Sequence, residues 1–250
     1  DMNLPKIIIL GVVKGGTTAL WYNLDKHPEI SMAKRKKEGI GMHFWGGRHW
    51  DRGFDWYCDK FEEGKIGGEK SISYWKSAKA IKRIVKHIPD AKLFLCVRNP
   101  VDRAYSHYQM HQNRQKNKVF NPKEYFNEGL YISKMEKNIL PFIDKSQLHL
   151  CIAEHMKKDP TTGMKEVFEF IGVEDLNLPK KVIDGVLRRH RNREEDIEVS
   201  RKEPFYRVWD RWSSKGRLEG PERDRLLEMY RPYNEKLFDF LGYEIKEWSE

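Results

Sequence analysis

One lysine, two glycines and two threonines, Lys14-Gly15-Gly16-Thr17-Thr18, stand a few residues behind the apolar run Ile7-Ile8-Ile9-Leu10. Their types and order suit anion binding. Adjacent glycines let the backbone approach an anion closely, a helix beginning just after them presents unpaired N–H groups and a positive dipole end, and Lys14, Thr17 and Thr18 add side-chain donors. The segment therefore predicts a strand, a phosphate loop and a helix. An ATP-binding loop would read G-x-x-x-x-G-K-[ST]. Here the lysine precedes the glycine pair and follows Gly11 by three residues, which argues against an ordinary kinase or ATPase.

A second segment bears on the kind of nucleotide. Lys92-Leu93-Phe94-Leu95-Cys96-Val97 reads as a buried strand that runs straight into Arg98-Asn99-Pro100-Val101-Asp102-Arg103-Ala104-Tyr105-Ser106. Pro100 at a first helical position marks a new helix. Arg98 then lies at the carboxyl end of the strand and Ser106 about two turns into the helix, so the pair could hold one further phosphate. Together the two loops suit a nucleotide phosphorylated at two separate places.

With these residues in view, the chain resembles the sulfotransferases that use 3′-phosphoadenosine 5′-phosphosulfate (PAPS). Gly11-Val12-Val13-Lys14-Gly15-Gly16-Thr17-Thr18 is similar to their 5′-phosphosulfate loop, and the segment from Arg98 to Tyr108 to their 3′-phosphate motif. Two more landmarks follow the family's order: Gly68-Glu69-Lys70-Ser71-Ile72-Ser73-Tyr74 and Ser213-Ser214-Lys215-Gly216-Arg217. The likeness is to the heparan sulfate and related carbohydrate enzymes, including bacterial relatives, and covers nearly the whole chain. It implies that Lys14, Gly15, Gly16, Thr17 and Thr18 hold the 5′ side of PAPS, or of its product adenosine 3′,5′-bisphosphate (PAP). Arg98, Ser106, Lys215, Gly216 and Arg217 would hold the 3′-phosphate.

The resemblance also supplies catalytic roles. Lys14 touches the bridging oxygen and the sulfate, and Lys70 helps to orient sulfate and acceptor. The related enzymes carry a Lys-Glu pair followed closely by His-Phe-Phe. Lys37-Glu38 and His43-Phe44-Trp45 match it with extra residues, Gly39 to Met42, between the halves. Glu38 is the first choice of acceptor base, and His43 shares or takes over the role. Glu69 is expected to pair with a neighbouring cation. No metal is expected: His107 and His111 lie one helical turn apart but without the Glu of H-E-x-x-H, so they read as helix-surface or core histidines.

The elements that must position these residues follow from pattern. Apolar residues recur at helical spacing from Ala78 to Ile88, and a short helix is expected near Phe54 to Phe61. Ile66 to Lys70 reads as a strand and turn, Leu148 to Ile152 as another strand, and Met164 to Ile171 as an amphipathic helix capped by Gly172. Helices are also expected from Pro100 to about Gln115 and near Tyr125 to Leu140, with Pro221 and Pro232 as starts of C-terminal ones. Strands alternating with helices imply a parallel, doubly wound α/β sheet, with ligands at the carboxyl ends of the strands. No Pro/Gly/Ser-rich linker divides the 250 residues, so one domain over 1–250 is expected, with 186–204 as a flexible or acceptor-side loop.

Composition narrows the partners. The net charge of +9 implies an anionic partner. The bases are dispersed, so an anionic donor accounts for the charge better than a nucleic acid does, and the densest run, Lys34 to Lys37, reads as a solvated loop or as a rim for a charged acceptor. Three cysteines give no even disulfide framework. Cys96 and Cys151 read as small buried hydrophobes, and the absence of a counterpart to the C-terminal disulfide of the animal Golgi enzymes favours the cytoplasm. The Golgi lumen would follow if an anchor had been trimmed from the N-terminus. The reading is thus a PAPS-dependent transfer of sulfate to a hydroxyl or amine, on a carbohydrate acceptor. The alternatives are a tailoring enzyme for a small natural product, a P-loop kinase, or a basic nucleic-acid-binding protein.

Overall fold

In the computed structural model, residues 2–34, 40–112, 119–175 and 217–249 are described. Five strands form one parallel sheet: β1 (Ile7–Gly11), β2 (Ile30–Met32), β3 (Ile66–Lys70), β4 (Lys92–Val97) and β5 (Leu148–Ile152), in the order β2-β3-β1-β4-β5. β1 is buried along its whole length, as the central strand of a sheet covered on both faces must be. Alternation divides its side chains: Ile8 and Leu10 join one core and Ile7 and Ile9 the other.

The helices are α1 (Thr17–Leu24), α2 (Gly53–Cys58), α3 (Ala78–His87), α4 (Pro100–Gln112), α5 (Pro122–Phe126), α6 (Tyr131–Asn138), α7 (Ala153–Lys158), α8 (Pro160–Ile171) and α9 (Pro221–Leu241). Trp21, Leu20 and Leu24 of α1 pack with α8 residues Val167 and Phe168 on one face of the sheet. Ile81 and Ile84 of α3 pack with Tyr131 and Met135 of α6 on the other. The connection leaving β1 runs towards β2 and the one leaving β4 towards β5. The switch point, where such sheets hold ligands, therefore lies between the carboxyl ends of β1 and β4.

Three expectations change. β2 has no counterpart in the sequence reading, because its three residues are specified by pairing to Ile66, Gly67 and Gly68 of β3 rather than by a run of their own. The helix expected near Tyr125 to Leu140 is broken by a 3₁₀ turn, Asn127–Gly129. A Cβ on Gly129 would lie 2.7 Å from the Tyr230 ring, so α9 passes too close for a regular helix bearing side chains. Pro232 begins nothing: it sits inside α9. Leu226, Tyr230, Asn234 and Leu237 bury one continuous face across it, and that burial outweighs the roughly 3 kcal/mol local cost of an internal proline. Cys96 and Cys151 are buried, unbridged and in register on β4 and β5, in the role expected of them.

Candidate active site

The phosphate loop rests on β4. The Val12 N–H donates to the Cys96 carbonyl at 3.0 Å, and a Cβ on Gly15 would collide with the same carbonyl. Gly15 is therefore required by the approach of loop to strand, while Gly16, with φ 109°, is the left-handed N-cap of α1. Lys14 also takes a left-handed backbone, φ 64°, a conformation that a non-glycine residue adopts at a local cost. The first-turn N–H groups of α1 have no intrahelical acceptors, and no acidic side chain occupies that turn. A backbone cradle bounded by Lys14, Gly16, Thr17 and Thr18 fits a phosphate-bearing group.

Lys70, the last residue of β3, reaches this cradle. Its Nζ donates to Thr18 Oγ1 at 2.8 Å, with only 6% of the residue exposed. Burial lowers its pKa to about 8. Glu69 points to the opposite face of the sheet, and there the expected cation is replaced by hydroxyls: Tyr57 donates at 2.6 Å, Tyr74 at 3.1 Å and Ser71 at 3.2 Å. Burial raises the Glu69 pKa to about 7, the hydroxyl contacts opposing it. No sequence pattern announces this cage, since Tyr57 and Tyr74 are ordinary core aromatics until the fold closes around the carboxyl group.

His43 lies beside the same strand end. Its N–H donates to Ser71 Oγ at 2.7 Å, its backbone is left-handed at φ 53°, and its ring folds over Gly41, where a Cβ would lie 2.8 Å from Nε2. Glu38 lies outside the described residues. The chain before and after it is pinned along β3: Ala33 N–H donates to the Gly68 carbonyl at 2.7 Å, and Met42 N–H to that of Lys70 at 3.0 Å. Lys34, first of the basic run, is committed to Asp25 at 2.6 Å.

On the other side of the switch point, Arg98 follows the last residue of β4 and is half-buried, its carbonyl accepting the Tyr131 hydroxyl at 2.7 Å. Ser106 is buried on α4. Asn99 Oδ1 caps α4 through the N–H groups of Val101 and Asp102 at 3.0 and 3.2 Å. Arg217 is brought to the start of α4 by an ion pair with Asp102 at 3.5 Å, shared with Arg223 at 2.7 Å. Lys215 and Gly216 lie outside the described residues. The rings of His107 and His111 meet at 4.5 Å, tilted by 57°. Burial first, then the charges of Arg103 and His111, hold His107 at a pKa of about 4, with Glu128 opposing them. Trp45 and Trp75 are core residues, Trp75 filling the space left by Gly11. Trp50 and Trp56 are partly exposed.

Fold and site together define an α/β protein with a glycine-rich cradle at the carboxyl edge of a parallel sheet. A sulfotransferase-domain family model matches residues 4–191. The chain is 30% identical over 266 residues to heparan sulfate glucosamine 3-O-sulfotransferase 3B1 of Homo sapiens, covering 97% of this chain and 64% of that protein. It is 28% identical over 286 residues to bifunctional heparan sulfate N-deacetylase/N-sulfotransferase 4 of Mus musculus, covering 98% of this chain and 31% of that protein. A solved sulfotransferase from Alicyclobacillus acidocaldarius has the same fold, with a TM-score of 0.70 at 21% identity over 99% of both chains. The chain belongs to the sulfotransferase family. It spans about a third of the N-deacetylase/N-sulfotransferase relative. Among the described residues no helix is long and apolar enough to cross a membrane.

Proposed function

We propose that the chain transfers a sulfuryl group from PAPS to a hydroxyl or amine of a carbohydrate acceptor. The observation that carries this reading is the convergence of Lys70 on Thr18 at the glycine cradle that follows β1, beside the switch point between β1 and β4 where Arg98 follows the strand. PAPS, when bound, supplies an activated sulfuryl group on a phosphate leaving group. Lys14, Gly15, Gly16, Thr17 and Thr18 would hold its 5′ side, and Arg98, Ser106, Lys215, Gly216 and Arg217 its 3′-phosphate. Lys14 and Lys70 place two ammonium groups where negative charge develops, and preorganised charge of this kind is commonly the largest single contribution to group-transfer catalysis. The acceptor's proton goes to Glu38 or to His43. A carbohydrate acceptor is supported by the names of the heparan sulfate relatives and by the surplus of positive charge.

Calorimetry with PAP and with adenosine 5′-monophosphate, both without magnesium, tests the donor assignment. The unsubstituted chain is expected to prefer PAP. Arg98→Ala is expected to weaken PAP by about 1.5–3 kcal/mol, the worth of a charge-assisted contact, and to leave the monophosphate nearly unchanged. Equal losses for the two nucleotides would remove Arg98 from the 3′-phosphate site. A competitive screen of hydroxyl acceptors with labelled PAPS then identifies the second substrate.

A further inference from the structure

The turn between β4 and α4, Arg98-Asn99, is gripped from three elements distant in sequence. Tyr131 of α6 holds the Arg98 carbonyl. Glu154 of α7 accepts the Asn99 backbone N–H on Oε1 at 2.9 Å and the Trp248 indole N–H on Oε2 at 3.0 Å. Trp248 in turn offers its carbonyl to Asn99 Nδ2 at 3.4 Å. Asn99 and Trp248 are almost wholly buried, and the indole packs on Tyr131 and Phe238. Neither Glu154 nor Trp248 belongs to a phosphate motif, yet both converge on the residue next to Arg98.

Such a grip exceeds what capping a strand requires. Holding a binding turn in its bound shape strengthens binding by removing the cost of ordering it. We propose that Glu154 and Trp248 are positioning residues for the 3′-phosphate subsite: they fix the Arg98-Asn99 turn and thereby set the preference for nucleotides that carry a 3′-phosphate. The inference rests on the assignment of Arg98 made above. The two donors need an acceptor at both ends of one side chain, which a carboxylate has. In Glu154→Gln the amide nitrogen would face either the Asn99 N–H or the Trp248 N–H, so one contact is lost whichever way it turns.

A scaffold role alone would lower stability and weaken every nucleotide alike, whereas a positioning role weakens the 3′-phosphorylated one selectively. The test is the ratio of PAP to adenosine 5′-monophosphate affinities, measured by calorimetry on the full chain and on Glu154→Gln and Trp248→Phe, with melting temperatures recorded alongside. The ratio is expected to fall about five- to tenfold in Glu154→Gln and about two- to threefold in Trp248→Phe, in keeping with one lost hydrogen bond at a preorganised site. Monophosphate affinity is expected to stay within about twofold. An unchanged or raised ratio in folded Glu154→Gln overturns the proposal, since the carboxylate would then be Arg98's competitor. If Glu154→Gln fails to fold, Trp248→Phe, which keeps the carboxylate, decides alone: a ratio equal to that of the unsubstituted chain overturns the proposal. An unsubstituted chain that binds both nucleotides equally overturns the assignment of Arg98 and this inference together, while a preference untouched by both variants overturns the inference only.

Discussion

Lys70 and Glu69 are neighbours on β3 that face opposite sides of the sheet, and burial acts on each in the direction that disfavours its charge. For Lys70 the consequence is kinetic. Its pKa of about 8 means that the ammonium form declines above that value, so kcat/KM, which reports the free enzyme, should fall as pH rises through about 8. Lys70→Arg keeps its charge at all accessible pH and should move that limb upward, even if its absolute rate is lower. A pH–rate profile of the unsubstituted enzyme that stays level to about pH 9.5 would show that the charge of Lys70 is not what the reaction uses. The acceptor base is a separate question. If Glu38 takes the proton, Glu38→Gln should reduce turnover by roughly 10²–10⁴-fold with PAP affinity intact. If His43→Ala loses turnover and Glu38→Gln does not, the base is the histidine held against Ser71. Retained turnover in both would send the proton elsewhere.

At the scale of elements, the phosphate loop and β4 form a single bearing surface. The sequence reading gives Gly15 to the ligand. The structure adds a steric reason of its own: a Cβ there would meet the Cys96 carbonyl, so the loop cannot accept a side chain without lifting off the strand. Gly15→Ala is therefore expected to lower stability by roughly 1–3 kcal/mol, visible as a fall of several degrees in melting temperature, together with a loss of PAP binding. A variant with unaltered melting temperature and affinity would mean that the loop yields at no cost. What sequence discloses about elements follows from where their information resides. β1 and β4 announce themselves because consecutive buried positions must be apolar, and β5, an edge strand only partly buried, by its run of Leu148, Leu150, Cys151 and Ile152. β2 is short and borrows its specification from β3. The split of α5 from α6 depends on Tyr230, about a hundred positions away, and no local pattern reports it. Likewise Lys14, Lys70 and Arg98 are readable as motif residues. The cage around Glu69 and the grip on Asn99 exist only once remote segments meet.

Over the whole molecule the surplus of nine positive charges acts through solvent as well as through contacts. A nucleotide with two phosphate-bearing ends should be drawn in faster than diffusion of neutral partners allows, and the attraction should weaken as salt shortens its range to about 8 Å near physiological ionic strength. Stopped-flow association of PAP is expected to slow by on the order of tenfold between low salt and roughly 0.5 M, with dissociation changing less. An association rate indifferent to salt would assign the basic surplus to the acceptor side instead.

One strand underlies both phosphate subsites on the proposed reading. Cys96 supports the 5′ loop by its carbonyl, and two residues further Arg98 begins the 3′ subsite, so the two are separated along β4 by roughly 7 Å of extended backbone. β4 is laced on one edge to β1 and on the other to β5, and it can neither stretch nor slip. It works as a calliper with fixed jaws. A regioisomer carrying the second phosphate on the 2′ oxygen would present a different gap to side chains that reach from a fixed strand, and is expected to bind more weakly than PAP. On the proposed reading, donor choice leans on a strand held from both edges, so a change that loosened β4 from β1 or β5 would blur both phosphate subsites at once.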